Sequence, residues 1–295
     1  MASFAPATRE KSYLRMAVLG VPGAGKTYSS MKVMQYLVGP GFAVIDTEHD
    51  SARKYAPLPG EKADPEKGTF DFIHAGLTNY DPQNFINLIK EAAAAGIPGL
   101  VIDSLSHAWS GIGGILDKKD QLDRTSKNSY TNWRELTPVH NKLIEAILEY
   151  PGHVIVCFRA KMEYAQEKDD NGRSKVVKLG LGAIQRDDVE YEFDVVALMD
   201  QSNAAQITKT RYSFLSGRTI NKPGKELADD LLYWLGQGGE RPMTREELLL
   251  KANEAYGMNE ADVGAFLAKN RLTALQGFNR YTTMWEKLVE AKNAG

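Results

Sequence analysis

Cysteine is nearly absent: Cys157 is the only one among 295 residues. No disulfide framework can form within the chain, and its place in the apolar run Val154-Ile-Val-Cys-Phe158 marks a buried structural thiol rather than a nucleophile. No apolar run is long enough to span a bilayer, and the N-terminal stretch Met-Ala-Ser-Phe-Ala-Pro-Ala-Thr-Arg-Glu lacks the apolar core of a signal peptide. The expectation is therefore a cytoplasmic protein with no membrane partner. An excess of either charge is also missing. Thirty-six Lys and Arg face 38 Asp and Glu, a net charge of −2, which excludes a generally basic nucleic-acid binder but not a local basic patch. His49 has no partner at metal-ligand spacing, so no zinc site is expected around it. Neither a fixed-period repeat nor a low-complexity tract is present.

What is present is ordinary in bulk and specific in detail. A hydrophobic content of 43% and a charged content of 25% suit a globular chain, long enough for one large domain with an appendage or for two modest ones. Gly20-Val21-Pro22-Gly23-Ala24-Gly25-Lys26-Thr27 fits G-x-x-x-x-G-K-[ST] without a mismatch. Leu14–Leu19 before it reads as a buried strand. Behind it, Met31, Val33, Met34, Leu37 and Val38 recur at helical spacing. Strand, glycine loop and helix make a phosphate cradle, in which backbone N–H groups and the helix N-terminus face the phosphate oxygens. Gly20 through Tyr28 are thus the expected ATP-binding residues. Lys26 is expected to reach the β- and γ-phosphates, and Thr27 to ligate Mg²⁺.

Apolar runs alternating with helical patterns predict an α/β domain with a mainly parallel sheet flanked by helices. Strands are expected at Leu14–Leu19, Phe42–Asp46, Phe70–His74, Leu100–Asp103 and Val154–Phe158. Helices are expected from Pro82 to Ala95, with Asp81 as N-cap, and from Trp133 to Glu149. From about Val189 the pattern turns to β, through Phe193–Met199, Ala205–Arg211 and Tyr212–Leu215, and a helix returns near Lys225–Leu235. Gly236-Gln-Gly-Gly239 reads as a linker, which divides the chain into residues 1–235 and a C-terminal helical module, residues 240–295. Thr244-Arg-Glu-Glu247 reads as a capping box opening that module, with further helices about Glu260–Asn270 and Gly277–Ala291.

Several side chains are candidates for chemistry. Asp103 ends an apolar strand and would hold Mg²⁺ opposite Thr27. Ser104 follows it, so the glutamate that many hydrolytic sites place there is missing. Glu48, at the end of Phe42-Ala-Val-Ile-Asp-Thr-Glu48-His49-Asp50, is the candidate base for the attacking water. The competing reading is that Asp46, Glu48 and Asp50 are solvated loop charges. Lys209 and Arg211, two residues apart on a strand end, could act as fingers in a neighbouring subunit's site, with Arg218 as a further candidate. An edge strand protected by charge reads equally well. The stretches 118–134 and 159–186 mix cations with aromatics and polar residues, and read as long loops able to touch single-stranded nucleic acid or simply as solvated loops.

Ala43-Val-Ile-Asp-Thr-Glu-His49 resembles the catalytic-glutamate strand of RecA-like recombinases, and Leu100-Val-Ile-Asp-Ser104 resembles their second nucleotide motif. Lys209-Thr-Arg211 resembles the Lys-x-Arg pair of RecA-fold helicases. Ile102-Asp-Ser-Leu-Ser-His-Ala-Trp109, Trp133-Arg-Glu-Leu-Thr-Pro-Val-His140 and Ile184-Gln-Arg-Asp187 are similar to RecA-like ATPases carried by bacteriophages. The resemblance covers roughly residues 12–235. It implies a RecA-like P-loop core that hydrolyses ATP with Mg²⁺ on single-stranded DNA, in annealing, recombination or replication. It also implies a ring or filament of identical subunits, a single-strand-binding or annealing protein nearby, and the host cytoplasm as location. The recombinases end the strand after the second motif in Asn-Gln, whereas this chain has Cys157-Phe-Arg159-Ala-Lys161, so Arg159 is a candidate for the glutamine's role. A P-loop small-molecule or nucleotide kinase, and a nucleotide-gated loading factor with little turnover, are the other readings of the same motif.

Overall fold

The computed structural model of the chain describes residues 12–125, 129–168, 174–236, 243, 245–273, 275 and 280–293. The chain divides at Gly224–Lys225 into two compact units, with Ser12 belonging to the second. The sequence-based division lies further on, at 235–240. The linker beyond Gly236, Thr244 of the expected capping box, and residues 126–128 and 169–173 of the two expected loops lie outside the described residues.

In the first unit, β1 (Arg15–Gly20), β2 (Phe42–Asp46), β3 (Phe72–Gly76), β4 (Gly99–Asp103), β5 (His153–Lys168) and β7 (Val195–Met199) are parallel. β8 (Ala204–Thr210) and β9 (Thr219–Asn221) extend the sheet antiparallel, in the order β3-β2-β4-β5-β1-β7-β8-β9. β6 (Ser174–Ala183) pairs only with the outer half of β5, as a hairpin that continues past the parallel ladder. α1 (Lys26–Val38) follows the glycine loop. α2 (Pro82–Ala94), α3 (Ser106–Ser110), α4 (Ile115–Thr125) and α5 (Ser129–Leu148) precede β5. This is the expected α/β fold, a mostly parallel sheet flanked by helices.

A strand covered on both faces must be apolar on both, and β1, β2 and β4 are buried throughout. Ala17 and Leu19 join Ala43, Ile45, Leu100, Ile102, Val154, Val156 and Phe158 in one core with Phe85, Ile86 and Ile89 of α2 and Leu143 and Ile147 of α5. Met16, Val18 and Ile155 turn instead to Ser29, Ser30 and Val33 of α1. The alternation of the pleat thus assigns each helix its face. α2 begins as expected: Asp81 accepts from the Gln83 N–H at 3.0 Å, with Pro82 in the first helical position.

Arg15 is a buried tie at the start of β1. Its guanidinium donates to the carbonyls of Leu148 at 2.8 and 3.1 Å, Gly152 at 2.7 Å, Leu14 at 3.0 Å, and Tyr150. The carbonyls of Leu148, Tyr150 and Gly152 sit where α5 ends, at Pro151-Gly152, beyond its last helical turn. Burial pulls the Arg15 pKa below its usual value, though the charges of Asp194 and two tyrosines oppose the shift.

Several local expectations need correction. The stretch 118–134 is not a loop: α4 and the first turns of α5 occupy most of it. Lys118 pairs with Asp81 at 2.8 Å and Lys119 with Asp123 at 2.5 Å. The Trp109 and Trp133 rings stack at 5.8 Å, so this aromatic is a packing residue. The stretch 159–186 is mostly the β5–β6 hairpin, where cross-strand pairing overrides a polar composition. Tyr212–Leu215 is not a strand, since Ser213–Leu215 forms a 3-10 turn, as does Val189–Glu192. β3 begins two residues later than expected and α5 four earlier.

In the second unit, α6 (Lys225–Trp234) is followed by α7 (Arg245–Tyr256), α8 (Glu260–Lys269) and α9 (Arg280–Asn293). Leu248, Ala252, Met258, Val263, Met284 and Leu288 form its core. Leu250, in the apolar part of α7, is exposed. Asn259 and Asp262 make a reciprocal capping box that opens α8. Among the described residues no helix is long and apolar enough to cross a membrane.

Candidate nucleotide-binding site

The carboxyl ends of β1, β2 and β4 lie along one rim of the sheet and carry the motif residues. After β1, Gly23 and Gly25 take positive φ angles of 79° and 81°, which glycine adopts at no steric cost. A Cβ on Gly25 would also meet the Asn203 amide nitrogen at 2.9 Å, and one on Gly20 would meet the Met199 carbonyl at 2.8 Å. Gly25 is the N-cap of α1, and no side chain caps this helix or adds an acid to its first turn. The orphan N–H groups of that turn therefore face the loop, the arrangement an anion requires. Lys26 Nζ folds over the loop and donates to the carbonyls of Gly20 at 2.9 Å and Val21 at 3.2 Å.

Thr27 Oγ1 donates to Asp103 at the end of β4. Asp103 is buried, and desolvation pushes its carboxyl up to about 6, despite the Thr27 bond and the Lys26 charge that oppose the shift. A hydroxyl and a carboxylate in contact, both turned to the loop, form a donor set suited to a hard divalent cation such as Mg²⁺. The residues present fit both groups: Gly20–Thr27 would hold the phosphates, and Thr27 with Asp103 would hold the ion, which neutralises phosphate charge when bound.

Glu48 lies two residues past β2, on a turn held by the buried Asp46. Asp46 accepts from the N–H groups of Glu48 at 2.7 Å and Ala52 at 2.8 Å, and His74 Nε2 lies 3.3 Å from it. Asp46 is thus a brace and not a solvated charge. Asp46, Asp50 and His74 come close enough to suggest a metal cluster. However, Arg53 Nε donates to His74 Nδ1 at 3.1 Å, which puts the imidazole proton on Nε2, facing the carboxylates. The trio is a hydrogen-bonded brace. His49 is exposed.

The Glu48 carboxylate is held by Arg159 of β5. Arg159 Nε and Nη2 donate to Oε1 at 3.0 and 2.8 Å, and Nη2 to Oε2 at 2.7 Å. Burial alone would raise the Glu48 pKa, but the Arg159 bonds and charge outweigh it and leave the carboxyl below its usual value. The same pairing raises Arg159. His107 of α3 lies 2.6 Å from the Thr47 hydroxyl and stacks on Tyr80 at 4.6 Å. Burial, then the Arg159 charge, keeps its pKa low.

Other expected site residues lie elsewhere. Tyr28 packs edge-on against Tyr55 and Phe70, at 5.8 and 5.5 Å. Lys209 and Arg211 sit at the far end of the sheet: Thr210 pairs with Val195, whereas Gly20 pairs with Met199 at the opposite end of β7. Neither can reach the loop of its own chain. Lys209 Nζ donates to the carbonyls of Glu190 at 3.1 Å, Tyr191 at 2.6 Å and Phe193 at 2.7 Å, while Arg211 pairs with Asp194 at 3.3 Å and is largely exposed. Cys157 is buried, 3.3 Å from Ser30 Oγ, and desolvation raises its thiol well above the usual range. Sequence reasoning missed Asn203, whose amide leans on Gly23 and Gly25. Its one sequence signal is the turn Asp200-Gln-Ser-Asn203.

The family of AAA domains matches residues 12–225. The chain belongs to this family. Its first unit is an AAA-type P-loop ATPase domain, and the match ends within one residue of the division between units. No curated protein matches the chain. Among solved structures it is similar to a KaiC-like protein from the hyperthermophilic archaeon Pyrococcus horikoshii OT3, at 17% identity and a TM-score of 0.39, over 72% of this chain and 87% of that one.

Proposed function

We propose that this AAA-domain chain hydrolyses ATP to ADP and phosphate with Mg²⁺, that single-stranded DNA stimulates it, and that it serves phage-type recombination, annealing or replication. The observation that carries the hydrolytic part is the convergence at one rim of the Gly20–Thr27 cradle, the Thr27–Asp103 pair and the Glu48 carboxylate on its Asp46-braced turn. A carboxylate poised to take a water proton beside a phosphate cradle serves hydrolysis, whereas a kinase transfers to its substrate's hydroxyl.

The DNA part rests on the β5–β6 hairpin, which leaves the same rim directly after Arg159 and carries the exposed Lys161. Assembly into a ring or filament is supported by Arg211, displayed at the sheet end opposite its own loop, where it can meet a phosphate only in another copy. A single-strand-binding or annealing protein is the partner this reading calls for, and the C-terminal module is its recruitment element. Phosphate release measured with Mg²⁺ and ATP, with and without single-stranded DNA, tests the reading. DNA-stimulated release is expected. Transfer to a small acceptor with no release to water would replace hydrolase by kinase, and binding without turnover would leave a loading factor.

A further inference from the structure

We propose that Arg159 is a catalytic residue that exchanges partners: it clamps Glu48 when no nucleotide is bound, and moves to the terminal phosphate of a triphosphate, releasing Glu48 to the water. This rests on the triphosphatase reading above.

The placement comes from the sheet. Arg159 pairs in register with Gly20, the first loop residue, and stands two residues beyond Cys157, the partner of Asp103. Its backbone is fixed at both ends: the N–H donates to Ser106 Oγ at 3.0 Å, and the carbonyl accepts from the Ile184 N–H at 2.7 Å. The guanidinium is less confined, with its side chain 46% exposed. A long, rotatable cation therefore stands on a fixed base between the cradle and the candidate base.

The clamp also makes Glu48 a poor base as it stands. Both carboxylate oxygens accept from a permanent cation, which lowers their basicity and occupies the lone pairs a water would use. A terminal phosphate offers the same planar fork more negative charge than a carboxylate does. Exchange thus ties release of the base to arrival of the γ-phosphate, which ADP lacks. In the step that follows, the water oxygen bonds to the γ-phosphorus and its proton passes to a Glu48 oxygen. The β–γ bridging bond breaks, leaving its electron pair on ADP.

The test is calorimetric binding of Mg–ADP and of a non-hydrolysable Mg–ATP analogue to the full chain, with thermal unfolding as the control for fold. Arg159→Ala should weaken the triphosphate by about ten-fold, the size of a charge-assisted hydrogen bond, while ADP affinity stays within about two-fold. Glu48→Gln should tighten the triphosphate several-fold, because Arg159 no longer has to leave a carboxylate. That gain should vanish in the Arg159→Ala background. An unchanged ratio of triphosphate to ADP affinity in Arg159→Ala overturns the exchange, as does a Glu48→Gln gain that survives without Arg159. If the unaltered chain binds neither nucleotide, the triphosphatase reading falls first and the exchange with it.

Discussion

The hydroxyl of Thr27, in the first turn of α1, and the carboxylate of Asp103, at the end of β4, are hydrogen-bonded although 76 residues separate them. Removing the charge while keeping the acceptor separates what Asp103 does for the fold from what it does for the site. Desolvation holds its carboxyl at about 6, well above its ordinary 3.8, so at pH 7 the metal-free fold carries a buried charge at a cost. Asp103→Asn should raise the midpoint of thermal unfolding in the absence of Mg²⁺ and nucleotide, by the equivalent of about 2–3 kcal/mol at pH 7. Hydrolysis should fall sharply in the same variant.

Lys26→Ala should leave the fold intact, because among the described residues the ammonium donates to just two loop carbonyls. Triphosphate affinity should drop by at least about ten-fold, the scale of one charge-assisted bond to phosphate. Equilibrium binding of a fluorescent ATP analogue reads this directly. Affinity and turnover near those of the unaltered chain would remove the cradle from the mechanism.

Glu48→Gln should slow single-turnover hydrolysis by on the order of 10²–10⁴, the usual weight of a positioned base. Acidification should reveal the Arg159 pair. The folded carboxyl titrates below its ordinary 4.5, so the pair's contribution is present above pH 4.5 and disappears as pH falls through the folded value. Both side chains are partly exposed, which limits that contribution to about 1 kcal/mol or less. The difference in stability between the unaltered chain and Glu48→Gln should therefore be constant from pH 5 to 8 and shrink below about pH 4.5. A difference that peaks in acid would contradict this pairing.

Lys209 and Arg211 should part company on substitution. Lys209→Met removes the donor for three carbonyls and should destabilise the chain by about 1–2 kcal/mol in denaturant unfolding. Arg211→Ala should barely change stability, since its ion pair is exposed, but should abolish most hydrolysis. Mixing Arg211→Ala with Glu48→Gln should restore part of it, because some interfaces then pair an intact finger with an intact base. No recovery on mixing would place Arg211 outside the site.

Arg15→Met should be the most damaging of these substitutions to the fold. It strands buried carbonyls at the end of α5, each worth about 1–3 kcal/mol when left unbonded. Chemical denaturation should show a loss of at least about 3 kcal/mol, summed over those groups. A loss below about 1 kcal/mol would mean that water replaces the guanidinium there.

Local pattern determined much of this protein. The Gly20–Thr27 spacing, the apolar runs ending in Asp46 and Asp103, and the Asp81–Pro82 helix start are legible because each depends on neighbours within a few residues. Loop glycines, strand alternation and helix caps act over that range. The chain could also be read as a mainly parallel α/β domain, since strands buried on both faces are apolar throughout. Polar composition misled the reading of 118–134 and 159–186: the lysines pair with distant or helical carboxylates, and the hairpin is held by cross-strand bonds that no local window contains. Tertiary structure alone decided which partners the charges take. Arg159 reaches Glu48 because β4 lies between β2 and β5, bringing the ends of all three strands to one rim, while Lys209 meets its own chain's carbonyls at the other end of the sheet. Electrostatic partnership depends on distances of a few ångströms between residues far apart in sequence, and those distances are fixed only when the sheet order is.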